Sequence, residues 1–333
     1  MQQQVPLIET KHLKKYFKTP RGLLHAVDDV NLVIRDGETL GIVGESGCGK
    51  STLGRTILRL HEATDGEVLF RGQNILKLNK REMKQMYTNI QMIFQDPFTS
   101  LNPRLSIGDI IAEPMRVVGT VKKSEIRSRV LELMDQCGLP ERYFNTYPHE
   151  LDGGRRQRVG LARALALNPK FIVCDEPVSA LDVSIQAQII NLLMDLQEKQ
   201  GLAYMFITHD LCVVRHISNY IAVMYLGEVV EYASRDEIFA HQYHPYTKAL
   251  LSAIPTPDLS RRNRERHLLQ GEVGNRRALP LCLPLPLRHR GMQAAPAAAR
   301  DHARPLCPLP YGKGRLTYFL SRIKETAKDE KVV

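Results

Sequence analysis

Thr39-Leu-Gly-Ile-Val-Gly44-Glu-Ser-Gly-Cys-Gly-Lys-Ser51 is the stretch on which the fold turns. Thr39–Val43 reads as a short apolar strand. It ends at a glycine-rich loop, and a helix-like stretch, Ser51–Leu60, follows. In that setting the pattern G-x-x-x-x-G-K-[ST] has a physical meaning. The glycines let the backbone curl into a nest of N–H donors around a β-phosphate. The helix that begins near Lys50 points its positive end at the same group. Lys50 adds a point charge for the β- and γ-phosphates, and Ser51 offers a hydroxyl to Mg²⁺. Gly44, Glu45, Ser46, Gly47, Cys48, Gly49, Lys50, Ser51 and Thr52 are therefore the candidate nucleotide-binding residues.

Other strands line up around this one. Phe171–Cys174 is apolar and ends in Asp175 and Glu176. Tyr204–Ile207 ends in Thr208-His209, and Ile221–Tyr225 is a further apolar run. Helix-like stretches lie between them: Lys123–Cys137, Gly153–Leu167 and Ile185–Lys199. Strands alternating with helices specify an α/β fold with a mainly parallel sheet. In such folds ligand groups gather at the carboxyl ends of strands. The glycines, the two acids and His209 all fall there. Asp175 suits a Mg²⁺-holding carboxylate and Glu176 a general base. Alone, two acids at a strand end are as easily a solvated surface; the phosphate loop decides between the readings.

Two regions depart from this alternation. Residues 80–150 are richer in helix and read as an insertion. Beyond residue 258, Arg-rich, Pro-rich and Ala-rich pieces follow one another (RRNRER, LPLCLPLPLRHR, QAAPAAAR), and no compact domain is legible. The net charge of +10 belongs to that tail: residues 1–260 hold 30 basic and 30 acidic side chains, residues 261–333 hold 16 and 6. The main body is thus not a basic surface, which argues against nucleic acid as a partner. The N-terminus has no apolar h-region, so no secretory signal is expected. No run of about 18 apolar residues occurs, so no segment is expected to span a membrane. The six cysteines (48, 137, 174, 212, 282, 307) lack CxxC spacing and read as free thiols.

Further motifs make the family recognisable. Gln95 in IFQDP resembles the Q-loop of ABC ATPases. Ser179-Ala-Leu-Asp182 resembles their D-loop, and His209 in FITHD their switch histidine. Phe17 in LKKYF stands where the family stacks an aromatic on adenine, with Tyr16 the alternative. Each signal is weak alone; their order and spacing over residues 7–270 are specific. The strings QMIFQDPFTSLNPR, CDEPVSALDVSIQAQIINLL and HPYTKALLSAIP resemble the dipeptide, oligopeptide and nickel importer branch. The resemblance implies a P-loop NTPase core with a parallel-rich sheet, an antiparallel β-subdomain and an inserted helical subdomain. It places the ATPase domain at 1–258, its helical subdomain at about 80–165, and an irregular C-terminal extension at 259–333. It implies catalytic roles for Glu176, His209 and Gln95, and Mg²⁺ held by Ser51, Gln95 and Asp175. Asp152, Gly153, Gly154 and Asp182 would touch nucleotide. It also implies a second ATPase subunit, two permeases and an extracytoplasmic substrate-binding protein, with this chain peripheral on the cytoplasmic face of the membrane.

The chain departs from the family at two places. Where the family reads L-S-G-G-Q, this chain reads Leu151-Asp-Gly-Gly-Arg155. Asp152 is a good helix N-cap, so the helix is expected to form. Yet a carboxylate about 4 Å from a γ-phosphate repels it by roughly 4 kcal/mol per unit charge at an effective dielectric near 20. Arg155 could offset part of this by pairing with Asp152 or with phosphate. The expectation is an impaired composite site where this motif faces the partner's nucleotide. The second departure is the tail. The family's cysteine-rich segment is reduced to Cys282 and Cys307, so an iron–sulfur cluster is not supported, and residues 274–310 resemble out-of-frame translation. Competing readings are an ABC ATPase of translation or repair, a non-hydrolysing ATP-binding regulator, and a small-molecule kinase. One motif set, the retained Glu176 and His209, and the signature-like helix weigh against them in turn. Nickel is the alternative cargo.

Overall fold

The apolar runs of the sequence become strands that are buried along all or most of their length. The computed structural model describes residues 5–20 and 22–253. The extension read at 259–333, with Cys282 and Cys307, lies outside the described residues. In chain order the first part holds β1 (Ile8–Thr19), β2 (Gly22–Ile34), β3 (Thr39–Val43), α1 (Lys50–Ile57), β4 (Asp65–Phe70) and β5 (Gln73–Asn74). Next come α2 (Lys80–Met86), β6 (Ile90–Ile93), α3 (Pro97–Ser100), α4 (Ile107–Val118), α5 (Ile126–Gln136) and α6 (Gly153–Leu165). The remainder is β7 (Phe171–Asp175), α7 (Val183–Gln200), β8 (Ala203–Ile207), α8 (Leu211–Ile217), β9 (Tyr220–Tyr225), β10 (Glu228–Ser234), α9 (Arg235–Ala240) and α10 (Pro245–Ser252).

Two sheets result. One has the order β10-β9-β3-β8-β7-β6, parallel from β9 to β6 with β10 antiparallel at one edge. The other is antiparallel, β2-β1-β4-β5. Strands β3, β7 and β8 have every residue buried, as parallel strands covered on both faces require. On one side of the main sheet the core joins Leu13, Val27, Ile42, Leu53, Val173 and Ile207, which fuses the antiparallel sheet and α1 to it. On the other side Ile110, Met115, Leu133, Leu161, Cys174 and Phe206 join it to the helical layer.

The sequence reading needs three amendments here. The stretch read as helical from residue 80 contains β6, which pairs in register with β7 (Gln91 opposite Ile172) and so belongs to the main sheet. A four-residue run is too short to show a period. Helix α5 starts at Ile126, three residues later than the periodicity places it. Helix α4 was not read at all, although Ile107, Ile110, Ile111 and Met115 form the buried stripe of an amphipathic helix. Its Gly108 lies against Phe144: a Cβ there would sit 2.6 Å from the ring.

Candidate functional site

The phosphate loop joins β3 to α1, and its shape needs glycine at two points. Gly44 has φ +155° and Gly49 φ +109°. A Cβ would meet the Met224 carbonyl oxygen at 2.3 Å in the first case and that of Ala26 at 2.0 Å in the second. Gly47 has φ +80° with open space around it, and Ser46 and Gly47 are exposed. Lys50 is 5% exposed, and its Nζ donates to the carbonyls of Gly44 and Glu45, both at 2.8 Å. Burial pushes the Cys48 thiol up, and the nearby Lys50 ammonium opposes that. Thr52 lies in the first turn of α1, where its carbonyl accepts the Thr56 hydroxyl at 2.7 Å.

Strand β7 delivers the acids to this loop. Ser51 Oγ donates to Asp175 Oδ1 at 2.6 Å. Asp175 is fully buried, and its Oδ2 accepts no hydrogen bond; the Arg55 guanidinium stands 3.5 Å away. Burial pushes the Asp175 carboxyl above the usual range, against the Ser51 bond and the Arg55 charge. A buried carboxylate with an unmet oxygen beside a hydroxyl is the donor set a hard divalent cation takes. Among the described residues no group of three or more His, Cys, Asp or Glu could hold a metal. An ion here would therefore share its shell with phosphate oxygens and water.

Glu176 holds a left-handed φ of +46°, fixed by its N–H donating to the Ile207 carbonyl at 2.9 Å. This turns its carboxylate to the strand ends. There Gln95 Nε2 donates to Oε2 at 2.9 Å, and His209 Nδ1 lies 3.3 Å from Oε1. Three residues from three separate strand ends, β6, β7 and β8, thus meet at one carboxylate. Gln95 faces Glu176 here rather than Ser51 and Asp175.

The remaining predicted residues lie apart from this group. Asp152 caps α6: its Oδ1 accepts the Arg155 N–H at 2.8 Å, and its Oδ2 pairs with Arg155 Nη1 at 2.7 Å. Gly153 starts the helix, and Gly154 packs so closely under Ile185 that a Cβ would come within 2.7 Å of it. No hydrogen bond or ion pair among the described residues links this helix start to the phosphate loop. Asp182 precedes α7 with its carboxylate free of any capping bond, next to Val183, which is 81% exposed. Of the two aromatics, Tyr16 stacks on His25 at 3.9 Å and donates its hydroxyl to Asp28 at 2.5 Å. Phe17 is half-buried with Lys15 Nζ over its ring at 4.8 Å and His61 against its edge. Arg55 and Tyr246 were not read from the sequence as site residues. Arg55 falls one turn after Ser51 on α1, a spacing that could have shown it. Tyr246 is 201 residues from its partner Glu45, and no local signal gives that.

The chain is similar to known proteins of one family. A family model described as ABC transporter matches residues 27–179. A second, described as the oligopeptide/dipeptide transporter C-terminal region, matches residues 230–283. The oligopeptide transport ATP-binding protein OppF of Bacillus subtilis is 56% identical over 78% of this chain and 86% of its own. That of Salmonella typhimurium is 52% identical over 80% of each. A dimeric structure of the ATP-binding cassette MJ0796 bound to ADP and Pi superposes with a TM-score of 0.63 at 34% identity, over 68% of this chain and 98% of that one. On these matches the chain belongs to the ABC transporter family, as an ATP-binding and ATP-hydrolysing subunit of the kind that carries the oligopeptide/dipeptide transporter C-terminal region.

Proposed function

We propose that this chain powers peptide import as one of two ATPase subunits beneath a pair of membrane permeases, fed by an extracytoplasmic substrate-binding protein. The peptide cargo rests on the OppF relatives, which are oligopeptide transport ATP-binding proteins. The peripheral position on the cytoplasmic face rests on the family and agrees with the absence, among the described residues, of any helix long and apolar enough to cross a membrane. The observation that carries the catalytic reading is the carboxylate of Glu176, held between Gln95 and His209 beside the Ser51–Asp175 pair.

ATP sits with its phosphates in the Gly44–Ser51 nest and its adenine on Phe17, since Tyr16 already uses both ring and hydroxyl on His25 and Asp28. Lys50 leaves its two carbonyl partners for the phosphate oxygens. Ser51 and Asp175 would hold Mg²⁺, which would supply neutralisation of phosphate charge. Glu176 takes the proton from the attacking water. Gln95 and His209, which both reach its oxygens, orient it and read the γ-phosphate. The exposed Asp182 and Val183 belong to the face that meets the second subunit. That subunit closes the site with its own signature helix.

The two composite sites are unequal in this reading. The one on this chain's phosphate loop is complete. The other receives Asp152 where a hydroxyl donor belongs, and Arg155, paired to Asp152 at 2.7 Å, compensates part of the charge without restoring the donor. The test is the assembled complex with Asp152→Ser. Its ATPase rate is expected to rise, towards roughly twice the parent rate if the sites add independently. No rise rules out impairment. Co-purification with ribosomes or DNA instead of permeases rules out the transport reading.

A further inference from the structure

Among the described residues, the segment matched to the oligopeptide/dipeptide transporter C-terminal region reaches the phosphate loop through the side chain of Tyr246. Tyr246, on α10, is 2% exposed, and its hydroxyl accepts the backbone N–H of Glu45 at 2.9 Å. Glu45 is the second residue of the loop, and its carbonyl is one of the two that hold Lys50 Nζ. A second bond reaches the loop nearby, from the Gly227 N–H to the Cys48 carbonyl at 2.8 Å. The loop is therefore tied from outside at both arms, by residues that follow His209 in the chain.

The placement of Tyr246 is itself over-determined. Its ring packs with Val43, Leu211, Val214, Ile221, Val223 and Ile238 and meets Tyr225 at a centroid distance of 4.5 Å. The backbone leading into α10 is gripped by the buried Glu231, whose two oxygens accept the N–H groups of Tyr243 and His244 at 3.0 and 3.1 Å. His244 Nδ1 then accepts the Tyr246 N–H at 3.2 Å. Each link fixes the next, and the chain of links ends on the loop.

We infer that Tyr246 is a positioning residue for nucleotide binding: its hydroxyl holds the entry of the phosphate loop in the shape that receives ATP. The physical reason is the loop's composition. Three glycines in eight residues leave Gly44–Ser51 many alternative backbone shapes. Apparent affinity scales with the fraction of time the loop spends in the receiving shape. An external tie on Glu45 raises that fraction without touching the nucleotide. The inference rests on the reading of Gly44–Ser51 as the nucleotide site.

The experiment compares four full-length chains by binding of a fluorescent ATP analogue, by the KM and kcat for ATP of the complexes assembled from them, and by thermal melting. The chains are the parent, Tyr246→Phe, Thr247→Ala and Lys50→Ala. Phe keeps the ring in its pocket and removes only the hydroxyl. Tyr246→Phe is expected to weaken binding and raise KM about threefold to tenfold, the range of one neutral hydrogen bond, with kcat unchanged. Thr247 is equally buried on the same helix and, among the described residues, makes no hydrogen bond through its side chain, so Thr247→Ala is expected to leave affinity at the parent value. Unchanged affinity in Tyr246→Phe overturns the inference. So does an equal loss in Thr247→Ala, which would make the effect one of helix packing. If Tyr246→Phe also melts lower, hydrogen exchange decides: faster exchange confined to the loop amides supports the tie, and uniform acceleration overturns it. Lys50→Ala separates this from the reading beneath it. If that variant binds the analogue as the parent does, the loop is not the site; if it loses binding while Tyr246→Phe does not, only the role of Tyr246 falls.

Discussion

The phosphate loop and the start of α6 are both glycine-marked helix N-termini, yet they handle charge in opposite ways. At the loop, Lys50 is buried and met by two carbonyls, Ser51 reaches Asp175 across 124 residues, and Tyr246 reaches Glu45 across 201. At α6, Asp152 and Arg155 are three residues apart, pair with each other, and leave 56% and 45% of their side chains exposed. The first draws its bonds from distant parts of one chain. The second is half a surface, with charges balanced locally until another surface covers it. Helix N-termini favour anions in both places, but the N-cap of α1, Gly49, brings no side chain to fill that role. The cap at Asp152 has already filled that role with its own carboxylate.

If this contrast is right, the loop should be far more sensitive than the helix start. Lys50→Ala removes the buried ammonium proposed to meet phosphate and should weaken ATP turnover in the assembled complex by on the order of a hundredfold or more. Near-parent turnover breaks the comparison at its stronger end. Asp152→Ser, the change proposed above, is the middle-sized effect and opposite in sign. The smallest concerns Asp175 and sharpens what the loop stores when empty. Burial raises its folded pKa above the ordinary 3.8. The folded state thus favours the protonated form. That stability is full below the unfolded value and is lost as pH rises through the raised folded value. Asp175→Asn keeps the site uncharged at every pH. In the nucleotide-free, metal-free chain it should melt like the parent in acid and a few degrees higher at neutral pH, on a scale where about 1 kcal/mol moves Tm by about 2–4 °C. Thermal scans across pH read this directly, and a lower melting temperature at neutral pH contradicts it.

What the sequence revealed follows the same division. The loop, the acids after β7 and the histidine after β8 are legible because each is a short apolar strand run that ends on chemistry. The N-cap role of Asp152 is legible because capping is local. The antiparallel sheet is implied by family resemblance alone: β1 and β2 carry register shifts between Thr10 and Tyr16 that break the alternation a strand reading needs. β6 is four residues long, too short for a period. The approach of Gln95 to Glu176 spans 81 residues, and only resemblance put the two in one site. HPYTKALLSAIP was read as a mark of the branch, while the role of its tyrosine depends on a partner at the other end of the chain.

The central claim is that the competent site lies on this chain's phosphate loop and Glu176, and that the site receiving Asp152 contributes little. Its most direct test is the ATPase rate of the assembled complex carrying Glu176→Gln in this subunit alone. A general base contributes about a hundredfold to ten-thousandfold to such a step, so the account predicts a rate reduced to a few per cent of the parent or less. A variant complex that retains half of the parent rate would show the Asp152 site working as well as the other, and would contradict the account.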